Sequence, residues 1–318
     1  MKLLLAILAA AFSAAALSQP YPAKPVRFIV PYAPGGGPDV TARILAAELT
    51  KRLGQSFIVE NRTGAGGSLA TEYVARAAPD GYTLLAPSEA PLVINPHVFA
   101  SVGYDALKDF APVILTVKSA FFVVVCPQLE ASTIGEVIAL AKRRPLSYAS
   151  SGTGTNMHLA GEALNQRAGI AMTHIPYKGA LQAMGDVMNC NVQMGFGAYG
   201  TVLPMIKGGK LKAVAISTAQ RSADTPDVPT LAEAGMTDVA ASLEAYYGLF
   251  APAKTPSAII ERINAEAAEV LKMPSVVEAF NARGLLVISG SPAHAAERIA
   301  ADFRRYQKVV KDGNIRAD

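Results

Sequence analysis

The chain has 318 residues, is 51% hydrophobic, carries a formal net charge of +4 and contains two cysteines. That length supports a large core and fits two domains better than one. Its Lys and Arg residues are scattered and do not interleave with aromatics, which argues against nucleic acid as a partner; the mild positive balance suits small anions without identifying one.

The N-terminus reads as a secretory signal peptide over residues 1–18. Lys2 precedes an apolar run from Leu3 to Phe12 and then Ser13 to Leu17, and small residues Ala16 and Ser18 flank a cut before Gln19. A retained anchor is the competing reading, but the run is short for a span, and no later run approaches the ~18 apolar residues a spanning helix needs. The expectation is an exported, soluble protein of the periplasm.

Strand-like and helix-like stretches then alternate. Val26 to Pro31 is a β-branched run, followed by one helical face of Ala42, Leu45, Ala46, Leu49 and Leu53, with Gly54 as a stop. Phe57 to Glu60 reads as strand and residues 61–67 as loop. Leu69, Tyr73, Val74 and Ala77 mark a helix, and Tyr82 to Ala86 a strand. The pattern restarts after Val113. Phe121 to Cys126 is a buried-strand run, and Thr133 with Glu136 forms a capping box for a helix through Ala141. Leu146 to Ala149, Met172 to Ile175, Val192 to Phe196 and Leu211 to Ser217 are further strands. Thr230 and Glu233 repeat the capping pattern, and Tyr247 to Ala251 is a strand ended by Pro252. The tail reads as helices over 257–272, 275–282 and 292–311 with a strand at 285–288. Such alternation argues for parallel, doubly wound α/β sheets. No linker separates the halves, which suits two lobes joined by more than one crossing strand, near Phe121 to Val125 and Tyr246 to Phe250; a single crossing also remains open.

Two glycine-rich turns carry the functional signal. Each follows an apolar run and precedes an amphipathic stretch: Tyr32-Ala33-Pro34-Gly35-Gly36-Gly37-Pro38-Asp39, and Ser151-Gly152-Thr153-Gly154-Thr155. Strand, glycine turn and helix start together leave bare N–H groups that can cradle an anion. Gly35, Gly36 and Gly37 permit close approach, Pro38 suits a first helical turn, and Asp39 is placed to cap the helix and pin the loop. In the second turn Ser151, Thr153 and Thr155 add hydroxyls to the N–H groups of Gly152 and Gly154, with Thr155 also a candidate N-cap. A tight turn without a ligand is the alternative for both. Tyr32, Tyr199, Tyr246 and Tyr247 are candidates to wall a cleft, with a core role competing for each. Arg43 and Arg62 suit pairing with acidic neighbours better than ligand contact; His158 and Lys178 read as structural and solvated.

Other chemistries lack their motifs. Gly64-Ala65-Gly66-Gly67 does not complete a dinucleotide fingerprint. No G-x-S-x-G elbow or H-E-x-x-H is present, and the histidines at 97, 158, 174 and 294 lack metal-ligand spacing. The reading is therefore of a non-enzyme without cofactor or metal, with an exported hydrolase as a remote alternative. For Cys126 and Cys190, export permits a bridge; two separately buried thiols are the other reading.

An ordered set of motifs across nearly all of the mature chain resembles the substrate-binding receptors of tripartite tricarboxylate transporters, the Bug or TctC-like family. It runs from Val30-Pro31-Tyr32-Ala33-Pro34-Gly35-Gly36 through Glu60-Asn61-Arg62, Asp80-Gly81-Tyr82-Thr83-Leu84, Ile94-Asn95-Pro96, Ser151-Gly152-Thr153-Gly154 and Pro176-Tyr177-Lys178-Gly179 to Gly248-Leu249-Phe250-Ala251-Pro252. The resemblance implies a two-lobed periplasmic binding protein, type II-like, with lobe 1 from residues 19–122 plus 247–318, lobe 2 from 123–246, and a ligand cleft between them. It implies a small organic acid as ligand (a mono-, di- or tricarboxylate, an amino acid or an aromatic acid), with the integral membrane subunits of a tripartite transporter as partners and a monomeric receptor. Presentation to a sensor kinase is the alternative delivery. Carried onto this chain, the turns Tyr32 to Asp39 and Ser151 to Thr155 hold a carboxylate through backbone groups. The chain departs from the family pattern at Gly197, where many relatives have Asp, and at Ser88-Glu89-Ala90-Pro91. Ser88 is expected at the cleft. Glu89 either faces inward, favouring an amine-bearing or monocarboxylate ligand, or is a solvent-facing lip residue.

Overall fold

The computed structural model describes residues 21–177, 179–313 and 315–316. The expected signal peptide and Lys178 lie outside the described residues.

The first sheet opens with β1 (Val26–Val30), which leads through the first glycine turn into α1 (Gly37–Leu53). Pro38 lies in the opening turn of α1, Ala42, Leu45, Ala46 and Leu49 are buried along one face, and left-handed Gly54 ends it. Next come β2 (Phe57–Asn61), a 3-10 turn at Ala65–Gly67, α2 (Ser68–Ala75), β3 (Thr83–Leu85) and the single-turn helices α3 (Ala90–Val93) and α4 (Asn95–Val98). Strand β4 (Phe110–Ser119) crosses the sheet and β5 (Phe121–Val125) continues it into the second. That sheet adds α5 (Ile134–Ala141), β6 (Ser147–Ser150), α6 (Asn156–Ala168), β7 (Thr173–Pro176), α7 (Ala180–Met188), β8 (Met194–Ala198), α8 (Tyr199–Lys207) and β9 (Lys212–Ile216). Helix α9 (Thr237–Leu243) packs on α6. The chain then returns through Glu244 to β10 (Ala245–Pro252), α10 (Ser257–Lys272), α11 (Pro274–Asn281), β11 (Leu285–Val287) and α12 (Pro292–Asp312).

The strand orders are β11-β4-β10-β3-β1-β2 and β7-β6-β8-β5-β9. Contrary to the expectation of parallel sheets, both are mixed. β1, β2 and β3 are parallel, but β10 runs antiparallel to β3 and β4. β6, β7 and β8 are parallel, but β5 runs antiparallel to β8 and β9. Of the strands that run against the parallel sets, β10 and β5 enter their sheets from the passages, and β11, antiparallel to β4, runs with β10. A segment that enters a sheet from the edge where its neighbours end must run against them.

Alternation along the first sheet divides its core. Phe28, Val30, Leu84 and Tyr247 belong to the cluster beneath α1 and α10; Ile29, Leu85 and Tyr246 belong to the one beneath α3, α4 and α12. Ten-residue β4 has no clear strand signature in the sequence because Pro112 interrupts it. The proline is tolerated because β11 flanks β4 only at 117–119, leaving β10 alone beside Pro112. The Thr133–Glu136 capping box forms as expected. Thr230 and Glu233 also exchange hydrogen bonds of 2.6 and 3.0 Å, but the residues after them form a turn that left-handed Gly235 closes, and the helix begins only at Thr237.

Cys126 and Cys190 form a disulfide across 64 positions of chain, tying the end of β5 to the segment after α7. Replacing both cysteines with Ser is expected to lower the unfolding free energy by about 2–4 kcal/mol, since the bridge restricts the unfolded chain. Denaturant midpoints with and without reductant measure this, and a wild-type midpoint indifferent to reductant contradicts it.

Candidate functional site

The strand registers place both glycine turns on facing edges. Ser119 at the end of β4 pairs with Ala245 at the start of β10, so β3 and β1, antiparallel to β10, also end on this side. In the second sheet Phe121 at the start of β5 pairs with Ala198 at the end of β8, so β6 ends on this side too. The first turn leaves β1 and the second leaves β6. Each therefore emerges at the edge turned toward the passage between sheets, and each opens a long helix whose N-terminus carries partial positive charge.

A charged scaffold behind the first turn holds its shape. Asp39 is buried and accepts from the Gly35 N–H at 2.9 Å, from Arg43 Nε at 3.0 Å and from Asn61 Nδ2 at 2.8 Å. Asn61 Nδ2 also donates to Tyr32 O at 2.9 Å, and Arg43 reaches Asn61 Oδ1. Burial opposes the charge on Asp39, but hydrogen bonds from Arg43, the Gly35 amide and Asn61 prevail and hold its carboxyl below the usual carboxylate range. Asp39 pins the loop, as the sequence suggests, but the N-cap is Gly36, which supplies no side-chain cap. The N–H groups of Ala33, Gly36 and Gly37 have no hydrogen bond among the described residues. Gly37 is required by contact: a Cβ there would lie 2.7 Å from Tyr247 Cε2. Beside the turn, the Tyr32 hydroxyl and Ser88 Oγ share a hydrogen bond of 2.6 Å, and Ser88 bridges Tyr247.

The second turn differs from the sequence expectation. The N–H groups of Gly152 and Gly154 are not bare. Gly152 donates to Ser150 Oγ at 3.1 Å and Gly154 to His158 Nδ1 at 3.1 Å. Ser150 Oγ is in turn 2.7 Å from His174 Nε2, and the two imidazoles stack with centroids 3.8 Å apart. Thr155 is the N-cap of α6, accepting from His158 N, while its hydroxyl donates to Gly152 O at 2.7 Å. Donors without a partner among the described residues are the N–H and hydroxyl groups of Ser151 and Thr153. Gly154 (φ +77°) is buried, and a Cβ there would meet Val98 Cγ1 of α4 at 2.8 Å, so this turn packs against the first sheet's helices.

The remaining candidates lie apart from the turns. Tyr199 stacks on Phe122 and donates to Ser222 or Asp224, each 2.6 Å away. It lines a cavity of about 520 Å³ with Lys118, Ala120 and Glu244, at the passages between sheets. A larger surface cavity of about 720 Å³ lies among Lys24, Arg27, Tyr73 and Arg76. Neither is lined by the glycine turns. Tyr246 is fully buried beneath α12 and walls nothing. Arg62 pairs with Glu60 at 2.6 Å and lies over the Tyr73 ring, so both Arg43 and Arg62 are structural, as expected. Both expectations for Glu89 fail: its side chain faces neither cleft nor solvent but is 2% exposed in the core.

Sequence reasoning missed Asn61, Val98 and the His158–His174 pair. Asn61 follows a β-branched run, but nothing local shows that its amide spans to Tyr32 and Asp39. The site offers hydrogen-bond donors, aromatic walls and, among the described residues, no free cation of its own. It can hold an anion by fixed dipoles; among the described residues no His, Cys, Asp or Glu group is arranged to bind a metal.

The profile of the family described as TctC, tripartite tricarboxylate transporter family receptor, matches residues 41–315. BugT of Bordetella pertussis is 36% identical over 317 residues, covering 97% of this chain and 97% of its own. The solved structure of Rpa4515 from R. palustris with adipate superposes with a TM-score of 0.83 at 30% identity, over 93% of this chain and 99% of that one. MatC from Rhodopseudomonas palustris, with bound malate, gives a TM-score of 0.78 at 30% identity over 91% and 100%.

The histidine pair behind the second turn makes stability depend on pH. Burial lowers the basicity of both rings, and the neighbouring His158 adds to this for His174, which is pushed down to about 4. The fold prefers the neutral rings, so their contribution is complete above the ordinary value near 6.5 and is lost as pH falls toward about 4. Denaturant midpoints at about pH 7.5 and pH 5 should therefore fall more steeply for wild type than for His174→Gln. Equal slopes contradict this role for the pair.

Proposed function

The chain belongs to the receptor family of the tripartite tricarboxylate transporters, and from that premise we propose that it is an exported periplasmic receptor that captures a small carboxylate between two lobes and delivers it to the membrane subunits of such a transporter. This family consists of receptors and not of enzymes. The observation that carries the ligand reading is the placement of two helix-opening turns, with unsatisfied N–H groups, on facing sheet edges. The signal-like N-terminus supports export.

The lobes are residues 19–122 with 247–318, and 123–246. The acid enters against the first turn, where Ala33, Gly35, Gly36, Gly37 and Asp39 form or support the cradle and Tyr32 with Ser88 forms a polar wall. Closure brings up the second turn. There Ser151 and Thr153 donate directly, while Gly152, Gly154 and Thr155 hold the turn's shape. Tyr199 acts beside the passage between lobes, its hydroxyl engaged by Ser222 and Asp224. Closure is favoured because only the closed state makes both sets of contacts. With no ion pair formed to the ligand, release needs no buried charge to be stripped of its partner. Relatives holding adipate and malate support a dicarboxylate as the first class to test.

Thermal stabilisation by adipate, malate, glutamate, succinate and benzoate tests this reading. A true ligand at 100 times its Kd should add about 2.7 kcal/mol of stability. Gly36 has φ −74° and its added Cβ would find no neighbour closer than 3.8 Å, so Gly36→Val should fold and yet shield the N–H groups beside it. It is expected to abolish the ligand-induced rise, and Ser151→Ala with Thr153→Ala to weaken binding about tenfold. A wild-type response retained by both variants removes the assigned site.

A further inference from the structure

Glu89 immediately follows Ser88, the residue bonded to the Tyr32 hydroxyl at the first turn. Its carboxyl is buried and accepts the backbone N–H of Tyr246 at 3.2 Å through Oε2. Tyr246 is the second residue of β10, just past Glu244, where the chain returns from the second sheet. One buried side chain therefore ties the lip of the first turn to the start of a passage strand.

Among the described residues no cation lies within ion-pair distance of that carboxyl. The two arginines of α12 that face this region are committed elsewhere: Arg298 holds Asp302 at 2.6 Å and Glu244 at 3.5 Å, and Arg305 holds Asp302 at 3.1 Å. The other titratable groups around Glu89 are Tyr246 and Tyr247 on β10, Asp302 and Tyr306 on α12, and Tyr32. Arg305, beyond ion-pair distance, and the Tyr246 N–H favour a negative charge, Asp302 opposes it, and burial outweighs them all. The hydroxyls of Tyr246 and Tyr306 are themselves buried without a hydrogen-bond partner. A charge here would be buried and unpaired, at a cost that either neutralises the group or moves it toward water.

We propose that Glu89 is a positioning residue: as a neutral acid it pins the Ser88 lip to β10, and loss of its proton frees the lip and weakens the hold on an anionic ligand. This rests on the carboxylate-receptor reading. Burial, before any neighbour, pushes the carboxyl up to about 8. The sign follows from linkage. The folded protein keeps a proton that the unfolded chain releases near 4.5, so stability declines as pH rises from there through about 8. Ligand binding, which needs the pinned lip, should fall above the same upper value.

The test compares wild type with Glu89→Gln, which keeps an acceptor for the Tyr246 N–H without a charge. Calorimetry with adipate from pH 7 to about pH 9.5 should show wild-type affinity falling about tenfold and the variant's remaining flat. Denaturant midpoints of the ligand-free proteins should decline with pH in wild type and not in the variant. Infrared spectra of protein labelled with ¹³C-glutamate should show a protonated-carboxyl band near neutral pH that disappears above pH 8 and is missing from Glu89→Gln. Parallel pH profiles for the two proteins, or no such band in wild type, overturn the proposal. Should no acid of the panel bind at any pH, the receptor reading fails, while the stability and infrared measurements still decide the protonation of Glu89. If the variant does not fold, the wild-type band decides alone.

Discussion

One extended run of chain organises the molecule. β4 ends at Ser119, Ala120 passes between the sheets, and β5 begins at Phe121. Ala120 is held on both sides, donating to Gly284 O at 3.2 Å and accepting from Tyr199 N at 2.9 Å. Because β4 and β5 continue through this point, the neighbours of each must end or begin at it. The ends of β1 and β3 therefore face the ends of β6 and β8. The facing turns, the buried lip at Glu89 and the cavity beside Tyr199 all follow from that passage.

The two turns reach similar surfaces by different chemistry. In the first, a buried carboxylate with its arginine and an asparagine holds the loop, taking up the Gly35 N–H and leaving those of Ala33, Gly36 and Gly37 unsatisfied. In the second, neutral groups do the holding: Ser150, Thr155 and the stacked imidazoles of His158 and His174. A glycine at such a turn is thus not automatically a ligand donor. Gly152 and Gly154 permit the turn's backbone path, and the groups left unsatisfied belong to Ser151 and Thr153.

The pairing of the arginines beside the first turn has a consequence for binding. Arg43 and Arg62 are both tied to carboxylates, so among the described residues the first turn offers an anion oriented dipoles and not mobile charge. Fixed dipoles need little reorganisation on binding and less energy to give up their cargo. The same economy extends to Glu89. A charged carboxylate behind the Tyr32–Ser88 wall would oppose an anion, and the burial of Glu89 favours its neutral form.

Much of the fold was legible in the order of residues because its signals are local. Periodicity placed α1 and the three helices of the tail, Gly54 and the Thr133–Glu136 pair set boundaries, and the two glycine turns stood out before any contact was known. Pro112 hid β4, since its tolerance depends on β11 ending short of it. The capping pair at Thr230 formed its bonds without starting a helix, because Gly235 turns the chain away. What tertiary structure alone decided was which polar atoms are already satisfied. The partner of the Gly154 amide is four residues away, but the groups packed around Glu89 on β10 and α12 lie more than 150 positions along the chain. Local pattern names the donors; only packing determines which of them remain free and which carboxyl is left without a counter-charge.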